Sequence, residues 1–206
     1  RHTPYTREEI ESILGMKLGE RNILVTFHPE TLNHKEDKGL AELLQVLRSK
    51  NKFRFIFTGA NADTSGYKID ELTRNFVTEN SGSAVFHSSL GQERYLSTMY
   101  YMDAVVGNSS SGLIEAPSFR IATINIGDRQ KGRVRAESVI DCKPNIASIS
   151  SAFDRLDDPI FLDKVKNTIN PHGLPGASSR ILREIRKARL EDALKKSFRD
   201  LPVLPN

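Results

Sequence analysis

The stretch AVVGNSSSGLIEAP, residues Ala104 to Pro117, changes character in the middle. Three apolar residues give way to a run of glycine, asparagine and serine, and an apolar, helix-compatible segment follows. By composition alone such a run marks a flexible linker. Between a short buried strand and a helix it reads differently, as the turn of a β-turn-α unit in a parallel sheet.

The same alternation extends in both directions. Upstream, TREEIESILG opens with Thr6 and has Glu9 three residues later, the pattern of a capping box before a short helix. NILVTF (22–27) and KFRFIFT (52–58) read as buried strands, SAVF (83–86) as a shorter one. Between them KGLAELLQVLRSK places Leu40, Leu43, Leu44 and Leu47 at helical spacing. YKIDELTRNFVTEN and QERYLSTMYYM read as helices, the latter with Met99 to Met102 as helix core, and LIEAPSF as one helix. Downstream come the strand ATINIG, a candidate strand SVIDC, the helices ASISSAFDRL and PIFLDKVKN, and a long helix from about Ala177 to Phe198. Strands that are apolar throughout, separated by helices, predict an α/β, Rossmann-like doubly wound parallel sheet. A single domain over residues 1–206 is expected, since no repeat or interior linker interrupts the pattern.

The composition excludes several classes. Of 206 residues, 38% are hydrophobic and 27% charged, an ordinary globular balance. No apolar run approaches a membrane span, and no signal segment opens the chain. One cysteine, Cys142, allows no internal disulfide, and no Cys/His cluster has metal-ligand spacing. A cytoplasmic address, no membrane association, no metal and no cofactor are the expectations. The net charge of +4 is small, and its basic residues concentrate in RILREIRKARLEDALKKSFRD, interleaved with acids as on a solvated helix face. Nucleic acid is not expected as a partner.

In doubly wound sheets ligands bind beyond the carboxyl ends of the strands. Five consecutive strands here end in polar, glycine-bearing loops: His28 to Thr31, Gly59 to Asp63, His87 to Gly91, Gly107 to Gly112, and Asp128 to Arg133. If Ser109, Ser110, Ser111 and Gly112 form the first turn of a helix, their amides lack helical partners and face the positive end of its dipole, which suits a phosphate. Glu115, one turn on, could accept from the hydroxyls of a ribose. Arg129 and Arg133 could neutralise a diphosphate in two-pronged fashion. Singly, each has a plainer reading. The serines could cap a helix, Glu115 could be a surface acid, the arginines surface charges, and His28 and Asn61 turn residues. Asn108-Ser109-Ser110 matches a glycosylation sequon, which the missing secretory signal disfavours. His87 and His172 take the structural reading, and NPHGLPGAS (170–178) has turn chemistry.

TFHPET, GANAD, SLGQERY, GNSSSGLIEAPSF and NIGDRQKGR, in this order and spacing, resemble the hydrolysing UDP-N-acetylglucosamine 2-epimerases of sialic-acid-type sugar biosynthesis. The resemblance covers about Asn22 to Arg133, and NPHGLPGAS followed by a long helix also fits. It implies the C-terminal half of a glycosyltransferase-B architecture, with the family's N-terminal domain absent from this chain. It further implies a nucleotide sugar, UDP-N-acetylglucosamine, as ligand and a homo-oligomer at full length. Residue by residue, Ser109 and Ser110 would hold the diphosphate, Glu115 the ribose, and Leu90 the uracil through its backbone. Asn61 and Arg129 would line the nucleotide-sugar site, with Ser111, Gly112 and Arg133 as further contacts, and catalytic His28 would sit by the phosphates and the departing sugar. The implied reaction eliminates UDP and then adds water with inversion at C2, giving N-acetylmannosamine or a related 2-acetamido sugar. The family's proton-transferring carboxylates belong to the other half, so this polypeptide alone is expected to be inactive. The chain departs from the family at Ala122, where proline is common, and near Arg120, where a small residue is. The competing readings are the donor-nucleotide half of a glycosyltransferase and a non-catalytic nucleotide-binding module.

Overall fold

Six strands form one parallel sheet in the order β3-β2-β1-β4-β5-β6. They are β1 (Arg21–Thr26), β2 (Phe53–Thr58), β3 (Ala84–His87), β4 (Ala104–Gly107), β5 (Ala122–Ile126) and β6 (Val139–Cys142). The structure is a computed structural model that describes residues 3–29, 38–60, 64–173 and 176–188. It has two units, Arg1–His172, which holds the sheet, and Gly173–Asn206, where α9 (Ala177–Lys187) lies. The predicted long terminal helix is α9 as far as Lys187; its continuation through Leu190, Leu194 and Phe198 lies outside the described residues. Among the described residues no helix is long and apolar enough to cross a membrane.

The strand alternation fixes two core layers, because successive side chains point to opposite faces. Ile23, Val25, Phe55, Phe57, Ala104 and Val106 face one side. There α2 (Lys38–Leu47), α3 (Thr64–Glu79), α7 (Ile146–Asp154) and α8 (Pro159–Asn167) contribute Leu40, Leu43, Phe76, Phe153 and Phe161. Leu24, Ile56 and Val105 face the other side, against Ile10 and Leu14 of α1 (Arg7–Leu14) and Met99 of α4 (Gly91–Met99). Helices therefore cover both faces, as the apolar strands require. Each fully buried aromatic or aliphatic side chain contributes about 1.5–3 kcal/mol relative to exposure. The Thr6–Glu9 capping box is present, with Glu9 N bonded to Thr6 Oγ1 at 3.2 Å and Thr6 N to Glu9 Oε2 at 2.7 Å.

The LIEAPSF segment differs from its expectation. It is two single turns, α5 (Ser111–Ile114) and α6 (Ala116–Phe119), joined at Glu115. Pro117 explains the break: it has no amide to donate, and its ring would crowd the Leu113 carbonyl of a continuous helix. α4 likewise stops at Met99. Met99 and Met102 are buried but Tyr100 is exposed, so the run is only partly core. Arg120 closes α6 with φ 55° and ψ 43°, the left-handed conformation that glycine adopts most readily.

Candidate functional site

The strand order reverses between β1 and β4, and the loops leaving these two strands border the crevice where a doubly wound sheet binds ligands. β4 approaches β1 closely here. Gly107 has φ +135°, and a Cβ at this position would collide with the Thr26 carbonyl. Asn108, fully buried, follows and crosses the gap. Its Oδ1 accepts from the His28 amide at 2.7 Å, and its Nδ2 donates to the His28 carbonyl at 2.8 Å. This burial also closes the glycosylation sequon to modification in the folded protein. The Asn108 carbonyl accepts from Gln130 Nε2 at 2.8 Å and from Arg129 Nη1 at 3.2 Å. The loops after β1, β4 and β5 therefore converge on one residue.

Ser109 and Ser110 sit at the front of this turn, both half-buried. Their amides, and that of Gly112, have no hydrogen-bond partner among the described residues. The expected first helical turn over Ser109–Gly112 is shifted. Ser110 is the N-cap, α5 begins at Ser111 and lasts four residues, and Ser109 Oγ takes the Ser111 amide at 3.4 Å. So short a helix carries little macrodipole, and attraction for an anion rests on individual amides and on Arg129. Ser111 and Gly112 form the rear of the turn. Ser111 Oγ accepts from Tyr95 Oη at 3.0 Å, and the Gly112 carbonyl accepts from Thr123 Oγ1 at 2.7 Å. A Cβ on Gly112 would stand 2.6 Å from Thr123 Cγ2.

Leu90 lies on the wall of a pocket of about 320 Å³ at the ends of β2 and β3, with Thr58, Gly59, Ser88, Gln92 and Tyr95. Tyr95 joins this pocket to the serine turn through its bond to Ser111. Burial pushes its phenol pKa up; hydrogen bonds with Ser111 and Thr26 oppose the shift, and the Glu115 charge adds to it. Leu90, Ser111 and Glu115 thus belong to one neighbourhood. Glu115 is half-buried at the α5–α6 junction. Asn170 ties that junction down, donating to the Ile114 carbonyl at 2.8 Å and to Ser118 Oγ at 2.7 Å.

Not every expected residue joins this set. Arg133 is exposed and makes no side-chain hydrogen bond or ion pair among the described residues; its carbonyl accepts from Arg135 Nη1 at 2.6 Å. Arg135 in turn pairs with Asp141 at 2.6 Å. Asn61 lies outside the described residues. His87 ends β3, with Nε2 3.2 Å from the Leu14 carbonyl, a structural role as expected. A wider pocket of about 760 Å³ opens at the ends of β5 and β6, lined by Gly127, Asp128, Arg135, Asp141, Lys143 and Ser148. Cys142 borders it, its pKa pushed up to about 12 by burial and by Asp141, so it is no thiolate at neutral pH. Among the described residues no cluster of His, Cys, Asp or Glu could hold a metal ion. The residues that sequence reading missed are Asn108, Gln130 and Tyr95. Asn108 carried one signal, a lone polar residue directly after the glycine that ends an apolar run.

The UDP-N-acetylglucosamine 2-epimerase family model matches residues 2–186. The chain belongs to this family. It is 39% identical over 197 residues, 95% of its length, to the GDP/UDP-N,N'-diacetylbacillosamine 2-epimerase (hydrolyzing) of Campylobacter jejuni. It is 38% identical over 206 residues, 98% of its length, to the polysialic acid biosynthesis protein P7 of Escherichia coli. The chain spans about half of these relatives, 51% of each. The fold is similar to that of the Neisseria meningitidis UDP-GlcNAc 2-epimerase bound to UDP-GlcNAc, with TM-score 0.64 and 18% identity over 88% of this chain and 48% of that one. This epimerase-family domain has the six-stranded parallel sheet of the C-terminal half of glycosyltransferase-B-like epimerases and glycosyltransferases.

Proposed function

We propose that this chain binds the UDP moiety of a nucleotide sugar, and that the full-length protein is a cytoplasmic, homo-oligomeric hydrolysing 2-epimerase. It takes UDP-N-acetylglucosamine to UDP and N-acetylmannosamine. The observation that carries this reading is the turn at the strand-order reversal. There the Ser109 and Ser110 amides have no hydrogen-bond partner among the described residues, and Arg129 is held on the Asn108 carbonyl just before them. Donors fixed in place before the ligand arrives stabilise developing charge at no cost in reorganisation. The Leu90 pocket, which shares Tyr95 with this turn, accommodates the uracil, and Glu115 the ribose hydroxyls.

In the reaction a base removes the proton from C2, and its electron pair forms the C1–C2 double bond. The C1–O bond breaks with its pair leaving on UDP, and water then adds across the double bond with inversion at C2. The contribution of this chain is to the leaving diphosphate: the turn amides and Arg129 disperse its charge, and His28 lies at the departing end. The proton-transferring carboxylates belong to the rest of the full-length protein, so residues 1–206 alone release no UDP.

Calorimetric titration with UDP and with pyrophosphate tests the site. Glu115→Ala should weaken UDP about tenfold and leave pyrophosphate unchanged; equal losses would remove the ribose role. Incubating the full-length protein with UDP-N-acetylglucosamine or UDP-N,N'-diacetylbacillosamine, without an acceptor, tests the chemistry. Free N-acetylmannosamine supports the proposal, and turnover of the diacetamido sugar alone would reassign the substrate. No UDP release from either would overturn hydrolytic epimerisation in favour of glycosyl transfer or binding alone.

A further inference from the structure

The strand ladder between β1 and β4 runs from Ile23 opposite Ala104 to Thr26 opposite Gly107, where both strands end. One residue further on, the chain supplies a substitute for the next rung. The Asn108 carboxamide accepts from the His28 amide at 2.7 Å and donates to the His28 carbonyl at 2.8 Å, as a peptide group on a neighbouring strand would. The two bonds fix the orientation of the carboxamide, since only one of its atoms can accept and only the other can donate. The Asn108 main chain is held as firmly: its amide donates to the Thr26 carbonyl at 3.3 Å, and its carbonyl accepts from Gln130 and Arg129. Asn108 and Gln130 are both almost wholly buried, at 0% and 2% exposure, so neither is placed to be a principal ligand contact.

We infer that Asn108 is a positioning residue for the diphosphate site, fixing His28 on one side against the Ser109–Ser110 amides and Arg129 on the other. Gln130 reinforces it from the β5 loop. The inference rests on the nucleotide reading given above. Three donor groups from three loops must converge on one anion, and hydrogen bonds from a common buried residue hold them in a single arrangement before the anion arrives. The Leu90 pocket depends on a different set of loops, those after β2 and β3, and on Tyr95. The Glu115 junction, which would take the ribose, is anchored separately by Asn170, so loss of the Asn108 clasp leaves the nucleoside end of the ligand in place and loosens its phosphate end.

That separation supplies the test. UDP and uridine are titrated into the full-length protein and into its Asn108→Ala, Asn108→Asp and Gln130→Met variants. The expected result is UDP binding weakened about 10- to 100-fold for either Asn108 variant and less for Gln130→Met, with uridine affinity within about twofold of wild type throughout. A cycle with His28→Ala should show non-additive losses, because the clasp acts through His28. Asn108→Asp keeps the size and one of the two bonds, and Gln130→Met leaves the clasp intact, so either carries the comparison if Asn108→Ala fails to fold. Parallel losses of UDP and uridine, or additive losses with His28→Ala, would overturn the inference while leaving the nucleotide site standing. A wild-type protein that binds uridine but gains nothing from the diphosphate would overturn both.

Discussion

Strands β1 and β4 are tied together at both ends, and the two ties differ in charge. At the amino end Asp103 Oδ2 accepts from the Asn22 amide at 2.7 Å, and the Asp103 amide donates to the Asn22 carbonyl at 2.8 Å. Asp103 Oδ1 lies 3.0 Å from Arg21 Nε, an ion-pair contact without the direction of a good hydrogen bond. Arg21 also donates to Asp157 at 3.1 Å and to the Leu156 carbonyl at 3.2 Å, and Lys52 pairs with the same Asp157. Each of these four charges, Arg21, Asp103, Asp157 and Lys52, is matched by another. At the carboxyl end the tie is the neutral carboxamide of Asn108, and Arg129 rests on a carbonyl with no carboxylate partner among the described residues. A carboxylate in place of Asn108 could still accept from the His28 amide but could not donate to the His28 carbonyl, and would leave a buried charge there. The same strands are thus closed with paired charges at the amino end and with a neutral carboxamide at the carboxyl end, where the proposed diphosphate site calls on Arg129 as its cation.

The largest effect should come from breaking the shared geometry. Gly107→Ala places a Cβ against the Thr26 carbonyl and should cost about 3 kcal/mol in denaturant unfolding; a cost below about 1 kcal/mol would show that β4 can withdraw from β1. Next, Arg129→Ala should weaken UDP about 30-fold, about 2 kcal/mol, with the unfolding midpoint nearly unchanged. A comparable loss of stability would erase the contrast between the ends. Asp103→Asn is its mirror: about 1 kcal/mol of stability lost and UDP affinity unaltered.

The smallest effect concerns pH. The Lys52 hydrogen bond chiefly, and Arg21 with it, hold the Asp157 carboxyl below its ordinary value of 3.8 against the opposing effect of burial. A depressed folded-state pKa contributes stability that is present above the unfolded value and lost as pH falls through the folded one. Because these groups are largely solvent-screened, wild type should exceed Asp157→Asn by only about 0.5 kcal/mol at pH 7. The difference should shrink in unfolding curves as pH falls below 3.8 and vanish once the folded-state carboxyl is protonated.

Much of the fold was legible because its signals are local. Leu40, Leu43, Leu44 and Leu47 are buried on α2 as their spacing required, and the uninterrupted apolar strands lie between two helical layers. The candidate site was legible in the placement of its parts: Ser109, Ser110, Leu90 and Arg129 follow the carboxyl ends of strands of one sheet, and Glu115 joins the two helical turns after β4. The helix expected from LIEAPSF failed where a single proline outweighed its flanking residues.

The sequence alone determined which segments are strands or helices and where the polar turns fall, because backbone preference and side-chain periodicity act over a few neighbouring residues. Only the tertiary structure decided the strand order, the engagement of Ser111 with Tyr95, and the clasp of Asn108 on His28. The last joins residues 80 positions apart. Hydrogen bonding over that separation depends on where β1 and β4 come to lie in the sheet, which no periodicity within either segment encodes.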